Sequence, residues 1–162
     1  MNLIIRPGRL ADAAVIVEFN RLMAKETENK DLDRAILAAG VAAMLTDANK
    51  GRYFIAEADP HPQPLAQEER GEIVGQLGIT LEWSDWRNGN FWWIQSVYVA
   101  PGARRHGVFR SLYQHVLVEA RKEPNVIGVR LYVEHDNAGA QATYRKMGMV
   151  MTGYQVMEEV FV

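Results

Sequence analysis

"FWWIQSVYVAPGARRHGVFRSLYQHV", residues 91–116, is a strand, a basic loop and a helix in succession. Residues 91–99 are aromatic and β-branched, the composition of a strand. Pro101 and Gly102 stop it. Arg104, Arg105 and His106 lead to Gly107. The apolar spacing of Val108, Leu112 and Val116 then predicts a helix from Gly107 to about Lys122. The first turn of a helix leaves backbone N–H groups unpaired and carries about half a positive charge. A phosphate satisfies both. The two arginines add two-pronged donors, and a glycine without a Cβ lets the backbone approach closely. The stretch fits a phosphate cradle as well as it fits a solvated turn.

Working outward, "LIIR" (3–6) is a short strand halted by Pro7 and Gly8. Asp12 to Ala24 has a helical face of Val15, Phe19, Leu22 and Met23, and Asp31 or Asp33 can cap a second helix through Met44 and Leu45. "RYFIAEA" (52–58) is a buried-type strand. The proline- and charge-rich run 59–71 is an exposed hairpin connection. "EIVGQLGITLEW" (72–83) holds two glycines, which implies a strand with a bulge or a close backbone neighbour. Asn88-Gly89 marks a turn into the quoted strand. After the quoted helix come a strand at 126–134, a helix from Asn137 to Met147 closed by Gly148, and strand material from 149 onward. This order predicts an α+β domain, a mixed sheet with helices packed on it.

The chain has 162 residues, the size of one domain, which is taken to span 1–162. A formal net charge of −2 disfavours nucleic acid and anionic membrane as partners, so any anion site must be local. No apolar run is long enough to span a bilayer. The absence of cysteine excludes disulfides, thiolate zinc sites and an acyl-cysteine intermediate. The opening "MNLIIRPGRL" lacks the apolar stretch of a signal peptide, and the expected location is cytoplasmic. His61, His115 and His135 show no metal spacing, and no metal is expected.

"GARRHG" (102–107) has the Gly-x-x-x-x-Gly frame of a P-loop, but Val108 and Phe109 stand where that loop needs Lys and Ser or Thr. ATP, GTP and NAD are all disfavoured. A second cluster lies in "NAGAQATYRKMGM" (137–149), where Asn137, Ala140 or Gln141, and Tyr144 share one helical face.

Together, "WWIQSVYV", "RRHGVF", "VRLYVE" and Asn-x-x-Ala-x-x-x-Tyr-x-x-x-Gly resemble the GNAT superfamily of acetyl-CoA-dependent N-acetyltransferases. The family's (Gln/Arg)-x-x-Gly-x-(Gly/Ala) loop is matched by Arg104 and Gly107 and departed from at Phe109. The resemblance implies a mixed, mostly antiparallel sheet of six to seven strands, about four flanking helices, and a splay between the fourth and fifth strands. It implies that the backbone of Val97, Tyr98 and Val99 pairs with the pantetheine arm of acetyl-CoA. The pyrophosphate would lie on Arg104, Arg105, His106, Gly107, Val108, Phe109 and Arg110. Asn137 and Ala140 would meet the pantetheine arm, and Tyr144 would sit near the sulfur as general acid.

Direct transfer to a primary amine in a ternary complex needs a neutral amine, an oxyanion donor such as the N–H of Val97 or Val99, and a proton for the leaving thiolate. The strand before the loop offers Gln95 and Ser96 where some relatives carry a Glu, so the base is sought among Glu26, Glu28, Glu82 and Asp85. With Trp83 and Trp86 these acids suit a small cationic amine, such as a polyamine, as acceptor. Protein N-termini or lysines are the alternative acceptors. A non-catalytic acyl-CoA-binding module is the alternative function. The apolar "YQVMEEVFV" (154–162) is a candidate homodimer strand.

Overall fold

Two long strands set the frame. β3 (Glu72–Ser84) turns at residues 85–88 into β4 (Gly89–Val99), and Asn88 takes the left-handed backbone (φ 48°) that an Asn-Gly turn allows. A computed structural model describes residues 2–58 and 71–161. The connection expected at 59–71 lies outside the described residues, apart from Gly71, as does His61. β1 (Leu3–Pro7) and β2 (Arg52–Ala58) pair antiparallel beside β3, and β5 (Val126–Leu131) pairs parallel with β4. The sheet order is β1-β2-β3-β4-β5. The α-helices are α1 (Ala13–Glu28), α2 (Arg34–Thr46), α3 (Val108–Lys122) and α4 (Ala138–Lys146). The described chain falls into two compact units, 1–131 and 132–162.

In the first unit, strand alternation sends Tyr53 and Ile55 into a core with Ile16, Val17 and Val41 of α1 and α2. The intervening Phe54 faces the other way, edge-on to His115 of α3 at 5.3 Å. α3 buries Val108, Leu112 and Val116, the spacing that predicted it. Asp33 caps α2 through the N–H groups of Ala35 and Ile36, a contact worth about 1 kcal/mol. The glycines of β3 answer to both expectations. Val74 is an extra residue against β2, and a Cβ on Gly75 would lie 3.2 Å from the backbone oxygen of Tyr98.

Two expectations fail. Among the described residues the sheet has five strands, not six or seven. Strand β5 stops at Leu131, and residues 149–161 form no strand. A strand-forming sequence needs a neighbouring strand to bond with. The unit 132–162 supplies helix α4 and no strand among the described residues. Val150, Tyr154, Val156, Met157 and Phe161 are accordingly exposed.

Candidate active site

β5 runs beside only the first half of β4. The last register pair is Ile94 with Leu131, and β4 continues alone on that side through Gln95–Val99. On its other side β4 carries one extra residue, with Ser96 and Val97 together opposite Leu77. Ser96 adopts φ 45°, a left-handed conformation rare for a serine. The bulge reverses the facing of the strand. Trp92 lies with Phe54 on the α3 side, whereas Tyr98 packs on Phe19 of α1 at 5.0 Å between ring centres. A buried polar chain runs beneath the bulge. Gln76 Nε2 donates to Ser96 O (3.2 Å) and to Asn20 Oδ1 (2.6 Å), and Asn20 Nδ2 donates to the Tyr53 hydroxyl (3.2 Å).

Beyond β4 the chain makes a 3₁₀ turn at Pro101–Ala103, and Arg105 (φ 67°) and Gly107 (φ 81°) then take left-handed conformations. The first intrahelical bond of α3 is Ser111 N to Gly107 O at 3.0 Å, so the amides from Val108 to Arg110 precede the helical ladder. A Cβ built on Gly107 meets nothing within 4 Å, which leaves open space over the helix mouth. The Arg104 side chain turns away from that mouth. It donates to Val99 O (3.0 Å) and to Glu26 of α1 (2.6 Å), over the ring of Tyr98. Glu26 also accepts from the Tyr98 hydroxyl at 2.8 Å. That bond, then the one from Arg104, holds the Glu26 carboxyl below the usual range. Burial, with Glu26 alongside, pushes the Tyr98 phenol up. Phe109, where the resemblance expects Gly or Ala, is half-buried with its ring 6.1 Å from Tyr113, one turn along α3.

In the second unit, Asn137 caps α4 by accepting from Ala140 N at 3.0 Å. Gln141 bonds the carbonyls of Glu134 and His135. The spacing of Asn137, Ala140 and Tyr144 places them on one side of α4, with Tyr144 half-buried.

A strand edge that its parallel neighbour leaves half-way matches the splay between the fourth and fifth strands that the resemblance implied. The sequence matches the model of the Acetyltransferase (GNAT) family over residues 23–149. The chain belongs to the GNAT acetyltransferase family. A possible acetyltransferase from Clostridium difficile 630 is 40% identical, with 100% of this chain and 99% of that chain covered and a TM-score of 0.86. A predicted acetyltransferase with acetyl-CoA from Clostridium acetobutylicum is 18% identical, over 98% of this chain and 96% of that chain, with a TM-score of 0.74. Glucosamine-6-phosphate N-acetyltransferase from Arabidopsis thaliana is 16% identical, over 100% of both chains, with a TM-score of 0.70. These last two share the fold. No protein of curated function matches the chain.

The acetyltransferase does not gather its predicted acceptor acids into one cluster. Glu26 lies level with Tyr98 at one end of β4, and Glu82 pairs in register with Phe91 near the other. Seven strand residues separate these levels, roughly 20 Å. Each of three acids already meets a cation: Glu26 with Arg104, Glu28 with Lys30, and Glu82 with Arg130. Glu82 also accepts from the Trp93 indole, and Arg130 stacks on Phe91 at 3.6 Å. Asp85 accepts from the backbone N–H of Trp86 in the hairpin turn, where Trp83 and Trp86 are exposed. Gln76, Ser96 and Asn20 were missed from sequence. The available signal was a glutamine inside the otherwise apolar middle of β3. Among the described residues, no group of His, Asp and Glu could hold a metal ion, and no helix is long and apolar enough to cross a membrane.

Proposed function

We propose that this acetyltransferase moves an acetyl group from acetyl-CoA to a primary amine, directly, with both substrates bound together. The observation that carries the proposal is the open edge of β4 at 95–99 leading into the left-handed loop at Gly107. In this scheme the backbone of Val97 and Val99 pairs with the pantetheine arm as an added strand. The amides from Arg105 to Arg110 take the diphosphate, with the Arg105 side chain as its cation. Arg104, already committed to Val99 O and Glu26, fixes the loop rather than gripping phosphate. Asn137 and Ala140 contribute to the same arm.

The thioester supplies an activated acyl carbon. The amine nitrogen attacks it, the C–N bond forms and the C–S bond breaks. The N–H of Val97 stabilises the negative charge that develops on the acyl oxygen. Tyr144 gives its phenolic proton to the thiolate; its reference pKa of about 10 keeps it protonated until then. The amine loses its own proton to water, because Glu26, Glu28 and Glu82 are each tied to a cation and Asp85 to a backbone amide. A small cationic amine is the proposed acceptor class; the exposed Trp83, Asp85 and Trp86 at the hairpin turn lie seven or more strand residues from Val97 and would attract such a cation to the surface rather than hold its reacting nitrogen.

The test is calorimetry with acetyl-CoA followed by thiol release over a panel of polyamines, amino sugars and N-terminal or lysine peptides. Binding with turnover of cationic small amines is expected. Turnover of peptides alone would move the acceptor to protein, binding without any turnover would make the chain a sensor, and no binding would end the proposal.

A further inference from the structure

The polar chain under the β4 bulge places hydrogen-bonding side chains where the strand is otherwise apolar, a costly arrangement unless each group is paired. Gln76 is 0% exposed, in a strand whose neighbours Leu77 and Ile79 are equally buried. Its Oε1 is buried without a hydrogen-bond partner, which is costly inside a protein. Which end of the amide faces Ser96 is fixed chemically. A backbone carbonyl only accepts, so the atom 3.2 Å from Ser96 O must be the nitrogen. Asn20 Oδ1 takes its second hydrogen at 2.6 Å, and Tyr53 in turn anchors Asn20.

The Ser96 carbonyl and the Val97 N–H belong to one peptide group. That peptide is trans, so the two point in opposite directions. Drawing Ser96 O toward Gln76 on β3 therefore turns the Val97 N–H away from β3, toward the side of β4 that β5 has left. The left-handed φ of 45° at Ser96 is a conformation that its surroundings must impose. Gln76 is the side chain placed to impose it.

We infer that Gln76 is a positioning residue for acetyl transfer: its amide locks the Ser96–Val97 peptide so that the Val97 N–H is fixed toward the acyl oxygen. This rests on the proposed acetyl-CoA reading. It adds a role for a buried residue of β3.

The experiment compares the wild type with Gln76→Leu, Gln76→Glu and Tyr53→Phe. Leucine removes the donor, and glutamate, assayed at a pH above its own titration, offers Ser96 O only an acceptor. Phenylalanine at 53 cuts only the far end of the chain and reports the general cost of disturbing it. Losing an oxyanion-hole donor costs on the order of 100- to 1000-fold in kcat, and mis-aiming one is expected to cost about tenfold or more. Both Gln76 variants should show that loss with the acetyl-CoA Kd within about threefold of wild type, and Tyr53→Phe should lose less kcat than either. In isotope-edited infrared spectra, the carbonyl of bound acetyl-CoA should absorb at higher frequency in the Gln76 variants, because its donor is mis-aimed. If neither variant folds, the wild type decides. Its Val97 amide proton should move downfield on acetyl-CoA binding more than any other amide of β4. Wild-type kcat and carbonyl frequency in a Gln76 variant that binds acetyl-CoA would overturn the inference alone, as would an unmoved Val97 amide. A wild type that binds no acetyl-CoA would overturn the proposed function and the inference with it.

Discussion

Replacing Gly107 by alanine separates two consequences of one backbone angle. At φ 81° an L-residue costs about 1–2 kcal/mol, because its Cβ crowds its own carbonyl. Alanine returns about 0.4–1 kcal/mol by restricting the unfolded chain. No atom lies within 4 Å of the added Cβ, so packing contributes nothing. The net is a loss of about 1 kcal/mol, a fall in Tm of about 2–4 °C for a chain of this size. The effect on ligand binding is larger. If the loop keeps its shape, the methyl group occupies the open space where the diphosphate is proposed to lie. If the loop relaxes to negative φ, the amides from Arg105 to Arg110 are re-aimed. In either case the Kd for acetyl-CoA should rise on the order of tenfold or more, about 1.4 kcal/mol. Gly102→Ala is the control. Its Cβ also meets nothing within 4 Å and its φ lies outside the left-handed range, so stability should change by no more than about 0.5 kcal/mol and Kd should not change. Differential scanning calorimetry and titration calorimetry on the two variants make the comparison. An unchanged Kd in Gly107→Ala would refute the proposal that amides around residue 107 hold the diphosphate.

Tyr144→Phe should lower kcat about 100-fold or more while leaving the acetyl-CoA Kd unchanged, read by thiol release and calorimetry. The rate with a cationic amine should rise with pH through the amine's own titration, since only the neutral amine attacks; a pH–rate series on two amines of different pKa checks this. Glu26 is held below its ordinary value of 4.5 by Tyr98 and then Arg104, so its contribution to stability is present above that pH and is lost as acid protonates it. Glu26→Gln should flatten that acid limb in Tm measured against pH. Gly51→Ala puts a Cβ 2.0 Å from Ile79 O at φ 141°, and strain plus clash should cost about 2–5 kcal/mol in urea denaturation.

Local chemistry made most of the elements legible. Asp33 caps α2 as its side chain can, Val108, Leu112 and Val116 bury one face of α3, and Asn88-Gly89 makes the hairpin turn, because each depends on residues within a turn of one another. The loop from Arg104 to Gly107 was readable for the same reason: a glycine ahead of an apolar-periodic helix implies an open first turn. The direction of Arg104 was not readable. Its guanidinium answers to Glu26, which is 78 residues away in sequence and reaches it only because α1 packs on β4. Ion pairing likewise removed Glu82 from the list of free acids, through Arg130, 48 residues away, whereas Glu28 pairs locally with Lys30. The missing C-terminal strand failed as an expectation because strand propensity names a preference, while a strand forms only where another chain segment offers hydrogen bonds. The bulge at Ser96 follows the same principle. Its sequence, "WIQSVY", reads as an uninterrupted strand, and the extra residue exists only in the count against β3. Sequence determined the secondary elements and the glycine-bearing loop ahead of α3 through short-range sterics and hydrogen bonding. Tertiary structure alone decided which charges are spent, where β4 is left open and which way its amides point, because those depend on partners brought together by folding.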